Sequence, residues 1–186
     1  MIAAGLSEEI LVKGCCMDDR SMQFALYSRF SSKMMTVCRR YTTNQMDAED
    51  QLQEGFVLVF RHIKNYNGGS LEGWIRKIVL NQCLGTYRKQ NNKILWLADL
   101  SDEEFDKQAS TDQNWINEAD AEQMMMMINN LPMGSKTVFN LAAIEGYAHH
   151  EIATILGIAE SASRSQLTRA RQALQKMYYT TINRTR

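Results

Sequence analysis

The chain has 186 residues, 45% hydrophobic and 23% charged, with 21 basic residues matching 21 acidic ones. That is enough apolar material for one sizeable core or two small ones, and it excludes a disordered chain. No run of about 18 apolar residues occurs, and Glu8 and Glu9 interrupt the apolar N-terminus, so neither direct membrane insertion nor a secretory leader is expected.

Residues 1–19 carry no assignable pattern, and their apolar side chains are free to pack on the next domain or on a regulator. From Met22 to Tyr41, Leu26, Phe30, Met34, Val37, Cys38 and Tyr41 follow the rhythm of one buried helical face. Asp47 is placed to cap a second helix, with Leu52, Phe56, Val59, Phe60 and Ile63 as its apolar stripe and Asp50, Gln53, Glu54 and Arg61 on its other faces. The polar residues 64–70, including Asn65, Asn67, Gly68 and Gly69, read as a loop. Ser70 then caps a third helix whose inward side is Leu71, Trp74, Ile75 and Ile78, with Lys77, Asn81 and Arg88 opposite.

Residues 91–121 lack sustained periodicity and read as a linker, in which residues 94–97 (Ile-Leu-Trp-Leu) could dock on a partner. A second helical unit opens near Asp120, runs through the methionines 124–127, and passes Leu131 and Pro132 into a helix over 135–145. The methionine quartet fits core packing better than a metal or flexible binding site. A short helix then ends at Gly157, which suits a left-handed C-cap, and a basic helix follows after two residues.

In the first of these two helices Ile152, Ala153 and Leu156 form the inner face, with Ile158 plugging the gap. In the second, Ser163, Leu167, Ala170, Leu174 and Met177 share the inner face. Ser161, Arg164, Ser165, Thr168 and Arg171 are left outside, and they are the donors and small hydroxyls that a helix in the major groove needs. The arginines alone would also suit an ordinary solvated basic helix; the ordered combination with Gly157 and the inner face points to a helix-turn-helix.

Charge is uneven along the chain. Residues 1–97 carry 13 Lys+Arg against 9 Asp+Glu, giving +4; residues 98–122 carry 1 against 9, giving −8; residues 123–186 carry 7 against 3, giving +4. Two basic blocks around an acidic connector fit two nucleic-acid contacts with an intervening segment that avoids them. Cys15, Cys16, Cys38 and Cys83 form no CxxC pair, so reduced, mostly buried thiols are expected. His149, His150 and Glu151 are adjacent and cannot converge on one metal from a helix; they read as a polar helix start. No nucleophile elbow or phosphate loop appears, so an enzyme is not expected.

The segments DAEDQLQEGF from Asp47 to Phe56, GSLEGWIRKIVLN, and the C-terminal LP with EIATILGIAESASRSQLTRAR resemble the extracytoplasmic-function group of the sigma-70 family. The likeness covers residues 20–90 and 122–178. It implies an all-α chain of two small helical domains, a region 2 bundle at 20–90 and a region 4 helix-turn-helix at 122–180, joined by an acidic linker at 91–121, with a tail at 181–186.

It also implies partners and roles. Asp50, Leu52, Gln53 and Glu54 match the helix that docks on core RNA polymerase. Lys64, Asn65, Tyr66 and Asn67 match the loop that captures an unstacked base of the promoter element named for position about −10, where amides read base edges and a ring can stack. Lys77, Asn81, Arg88 and Lys89 match the surface that holds the melted strand. Ser161, Arg164, Ser165, Thr168, Arg169 and Arg171 match the reader of the element named for about −35. The family implies promoter DNA and core polymerase as partners, an anti-sigma factor in many members, a cytoplasmic monomer when free of partners, and no cofactor, metal or catalysis.

Four residues depart from the family pattern. Ala148 stands at a usual serine cap and Gly85 at a usual acid, each at a cost of about 1 kcal/mol. Ser163 takes an apolar inner position and Gln166 a common arginine. A competing reading is a conventional regulator binding duplex DNA alone as a dimer; it leaves the QEGF helix and the basic helix after Trp74 without a role.

Overall fold

The computed structural model describes residues 6–91 and 121–184, which are helical with no strand among them. The chain divides into two compact units, Met1–Lys89 and Gln90–Arg186. Of the expected acidic linker at 91–121, Asn91 ends one helix and Ala121 begins the next, and residues 92–120, with the docking residues 94–97, lie outside the described residues.

In the first unit, helix α1 (Glu8–Cys16) begins at Ser7, whose Oγ accepts from Ile10 N at 3.3 Å. Its Leu11 and Cys15 are fully buried, and the helix packs on α2 (Arg20–Tyr41) and on the 3-10 turn Ile63–Asn65. The unassigned N-terminus thus contributes to this unit's own core. Asp19 caps α2 by accepting from Ser21 N at 2.8 Å and Met22 N at 3.4 Å, which starts the helix two residues before the apolar rhythm becomes visible. Leu26, Phe30, Met34, Val37, Cys38 and Tyr41 are all buried.

Helix α3 (Gln45–His62) is capped by Asn44 and not by Asp47. Asn44 Oδ1 accepts from Asp47 N at 2.8 Å while its Nδ2 donates to Asp47 Oδ2 at 2.9 Å. Asparagine is among the strongest caps, and the carboxylate of Asp47 gains a second role in the first turn, near the positive end of the helix dipole.

Helix α4 (Leu71–Asn91) is capped as expected, Ser70 Oγ accepting from Gly73 N at 3.0 Å. Its buried residues are Leu71, Ile75, Val79, Leu80, Cys83 and Leu84, while Trp74 and Ile78 are only half-buried. The buried face turns towards Val79 because α3 approaches there: a Cβ on Gly55 would lie 3.0 Å from Val79 Cγ2 and 3.4 Å from its Cα. Only glycine admits so close a crossing without a shift.

The second unit contains α5 (Ala121–Asn129), α6 (Met133–Phe139), a π-helical turn Asn140–Ile144, α7 (His149–Leu156) and α8 (Glu160–Arg184). Helix α8 packs on α5, α6 and α7. The methionine quartet is core only in part: Met127 is buried, Met124 and Met125 are half-buried, and Met126 is 59% exposed. Four successive residues circle the helix, and one stripe faces the core. Ile152, Leu156, Leu167, Ala170 and Leu174 are buried, as is Ser163; the next inner position belongs to Tyr178, four residues after Leu174, and Met177 is half-buried. No helix among the described residues is long and apolar enough to cross a membrane.

Candidate nucleic-acid interface

On α4 the spacing that buries Ile75, Val79 and Leu80 puts Lys77, Asn81 and Arg88 on the exposed side. The side chain of Lys89 lies outside the described residues. Lys77 and Arg88 can neutralise phosphates whatever the base sequence, and Asn81 adds an amide that can donate or accept.

Before α4, the chain turns at Gly68 and Gly69, with φ of 95° and 90° that side chains other than glycine rarely adopt. Tyr66 holds this turn together. Its hydroxyl donates to Gly69 O at 2.6 Å, and its ring meets Trp74 edge-on with centroids 5.5 Å apart. Tyr66 is therefore a strut of the loop as well as a candidate ring for base stacking. Lys64, Asn65 and Asn67 are exposed and make no side-chain hydrogen bond among the described residues, so these three are open to a ligand.

The docking face expected on α3 needs one correction. Leu52 is 4% exposed and belongs to the core, where it supports the helix without reaching outward. The outer stripe is Met46, Asp50, Gln53, Glu54 and Val57, at helical spacing. Gln53, Glu54, Val57 and Leu58 join Gln82 of α4 around a shallow hollow of about 350 Å³. Glu54 accepts from Gln82 Nε2, and buried Gln51 accepts from Thr86 Oγ1 at 3.0 Å, so polar bonds tie α3 to α4 beside this hollow. Gln51 and Val57 have no signal in the apolar pattern; only the fold separates them.

In the second unit Gly157, at φ 71° and ψ 34°, closes α7 in the left-handed conformation, its N–H donating to Ala153 O at 2.9 Å. The missing serine cap at Ala148 is half-replaced: Glu151 Oε2 accepts from Ala148 N at 2.8 Å. The residue following Ala148 resolves another departure. His149 Nδ1 lies 2.9 Å from Oγ of fully buried Ser163, so the hydroxyl at an apolar position is matched by a polar partner on the facing helix. Gln166 is likewise used inward, its Oε1 accepting from Ser135 Oγ at 2.6 Å.

Outside, Ser161, Arg164, Ser165, Thr168 and Arg171 are exposed, whereas Arg169 is half-buried. Arg164 pairs with Glu160 one turn earlier, Ser165 Oγ donates to Ser161 O at 3.0 Å, and Thr168 Oγ1 donates to Arg164 O at 3.1 Å. All three contacts are local and solvent-exposed; they can be exchanged for base or phosphate contacts at small cost. No group of three or more His, Cys, Asp or Glu among the described residues could hold a metal ion.

Comparison with known proteins gives matches in both units. Residues 26–93 match the family described as Sigma-70 region 2, and residues 121–174 that described as Sigma-70, region 4. The chain is similar to the ECF RNA polymerase sigma factor SigE of Mycolicibacterium smegmatis, 29% identical over 154 residues, covering 81% of this chain and 59% of that protein. It is also similar to the ECF RNA polymerase sigma-E factor of Haemophilus influenzae, 26% identical over 185 residues, covering 94% of this chain and 96% of the other. Among solved structures, CnrH in complex with the cytosolic domain of CnrY is 21% identical with a TM-score of 0.48, covering 93% of this chain and 97% of that one.

Proposed function

The chain belongs to the extracytoplasmic-function group of the sigma-70 family, and we propose that it directs core RNA polymerase to a restricted promoter set and nucleates strand opening there. The observation that carries this reading is the pair of exposed cationic faces on two compact units: Lys77, Asn81 and Arg88 on α4, and Arg164, Ser165, Thr168 and Arg171 on α8. One such face suits duplex readout in the major groove, and the other, beside the open amides of Asn65 and Asn67, suits a strand whose bases have been unstacked.

In this proposal Ser161, Arg164, Ser165, Thr168 and Arg171 read the upstream element, with Arg169 supporting them from its half-buried position. Lys64, Asn65, Asn67 and the α4 stripe, together with Lys89, whose side chain lies outside the described residues, hold the downstream element as it opens, while Tyr66 shapes the loop. Asp50, Gln53 and Glu54 face core polymerase, and Leu52 keeps their helix in register. The protein acts by binding, with no covalent chemistry of its own, as a cytoplasmic monomer before it meets polymerase, and an anti-sigma factor is the class of inhibitor to look for.

The test mixes purified full-length protein with core polymerase and measures co-elution, then run-off transcription on a genomic fragment library. Arg164→Ala and Arg169→Ala should weaken upstream recognition, at about 1–3 kcal/mol for a side chain in direct base contact. Lys77→Ala and Asn81→Ala should impair opening, read by permanganate reactivity of unpaired thymines. Unchanged transcription with all four substitutions would overturn the roles, and tight dimeric binding to duplex DNA without polymerase would favour a conventional regulator.

A further inference from the structure

Four cysteines are present, and two of them meet. Cys38 of α2 and Cys83 of α4 are 0% and 2% exposed, and their sulfurs lie 3.8 Å apart, the Cys83 thiol donating to Cys38 Sγ. None of the sigma-factor roles above uses either residue. Neither is a lone buried thiol of the kind that packs as a small hydrophobe, because each faces a second sulfur across a helix–helix contact.

We propose that Cys38 and Cys83 form an oxidisable dithiol, a modification site at which a peroxide converts the α2–α4 contact into a covalent cross-link. A disulfide bond is about 2.05 Å long, so the sulfurs must close by roughly 2 Å. The hydrogen bond from Cys83 lowers the pKa of Cys38 from its ordinary value and favours its thiolate. The same bond, together with burial, pushes the Cys83 thiol up. This direction favours Cys38 as the nucleophile and Cys83 as the resolving thiol.

The chemistry balances in two steps. The Cys38 thiolate attacks one peroxide oxygen, the O–O bond breaks, and hydroxide leaves, giving a sulfenic acid at Cys38. The Cys83 sulfur then attacks the Cys38 sulfur, the S–O bond breaks, and the departing oxygen takes the Cys83 proton, leaving a disulfide. The two cysteines lose two electrons and two protons, and hydrogen peroxide is reduced to two waters. A disulfide formed and removed in this way is the kind that persists in a reducing cytosol only while oxidant is present.

The remaining cysteines cannot do this. Cys15 is buried, with its thiol pushed up to about 11 by desolvation and by the neighbouring Cys16 and Asp19. Cys15 and Cys16 are sequence neighbours within α1, where successive side chains point in different directions.

The experiment treats the full chain with hydrogen peroxide, then maps peptides by mass spectrometry without reduction. Expected are a monomer lighter by two hydrogens, one peptide pair joining Cys38 to Cys83, and reversal by dithiothreitol. The Cys15→Ala/Cys16→Ala double variant should keep this product, whereas Cys83→Ala should abolish it and slow the oxidation of Cys38, which loses the hydrogen bond that favours its thiolate. The idea is overturned if wild-type Cys38 stops at sulfinic acid, if the disulfide joins other cysteines or two chains, or if the pair stays reduced at peroxide levels that oxidise the exposed methionines. Because the wild-type product alone decides, a Cys83→Ala chain that fails to fold does not blunt the test. None of these readouts depends on promoter activity, so the outcome is independent of the functional reading.

Discussion

Among the described residues of the first unit the buried side chains are apolar apart from Gln51, whereas the second unit buries Ser135, Lys136, Thr137, Asn140 and Ser163 beside its apolar residues. The first unit presents its functional groups from helices held mostly by non-directional packing, which stabilises strongly but tolerates small rotations, with the Gln51–Thr86 and Glu54–Gln82 bonds added at the α3–α4 crossing. In the second unit α8 is fastened by directional bonds, Ser135 to Gln166 and His149 to Ser163. Such bonds add only about 1 kcal/mol each, yet leaving one partner unmatched costs more than the bond contributes, so they penalise a misplaced helix. A helix that must meet base edges has more need of that control than a surface that follows phosphates.

The contrast can be broken most forcefully in the first unit. Leu26→Ala removes a fully buried side chain and should cost about 2–5 kcal/mol. Amide exchange followed by mass spectrometry should show faster exchange across α1 to α4 and little change in α5 to α8; equal acceleration in both units would mean that they do not fold separately.

Gly55→Ala comes next, at about 1–3 kcal/mol, because the added Cβ crowds Val79 at the α3–α4 crossing. Urea denaturation checks the loss, and binding to core polymerase should weaken with it, since Gln53 and Glu54 ride on the displaced helix. A neutral result would show that the crossing is looser than the 3.0 Å approach indicates.

Ser163→Ala sharpens the other side of the comparison. It leaves His149 without its partner and should cost about 1 kcal/mol in stability. Its effect on affinity for the upstream duplex should exceed what the unfolded fraction accounts for, as measured by fluorescence anisotropy with the polymerase complex. Full affinity at reduced stability would show that the bond supports the fold without setting the helix.

The smallest change should be a gain. Gly85 lies in α4, and an added methyl group there would meet no atom within 4 Å, so Gly85→Ala should stabilise the first unit by about 0.5–1 kcal/mol. A rise in the thermal midpoint with unchanged polymerase binding is the expected result; a fall would mean that the glycine is there for a contact made only in a complex.

Much of the fold is legible in the sequence because repetition along the chain maps directly onto a face. The rhythm from Leu26 to Tyr41, the Ser70 cap and the Gly157 turn each rest on interactions within one or two helical turns, and all three are present. The start of α3 is less legible because two good caps compete there: Asn44 and Asp47 lie three residues apart, and the apolar pattern cannot choose between them. Leu52 falls on a docking face only through the likeness of the surrounding letters, although its own place in the apolar stripe already argues for burial. Tyr66 has an aromatic's usual promise of stacking, and no local rule says that its hydroxyl reaches Gly69 or its ring Trp74.

By itself, then, the order of residues determined that the chain is helical, that an acidic stretch separates two basic blocks, and that the C-terminal block carries a turn between two helices. These follow from spacing, composition and the few residues able to cap or reverse a helix. Only the tertiary structure decided that α1 completes the first core, that Gly55 meets Val79, that Ser163 answers His149, and that Cys38 lies against Cys83. Each of those joins residues from different helices, so it depends on the angle and distance at which helices cross, and those are set by the packing of many side chains together.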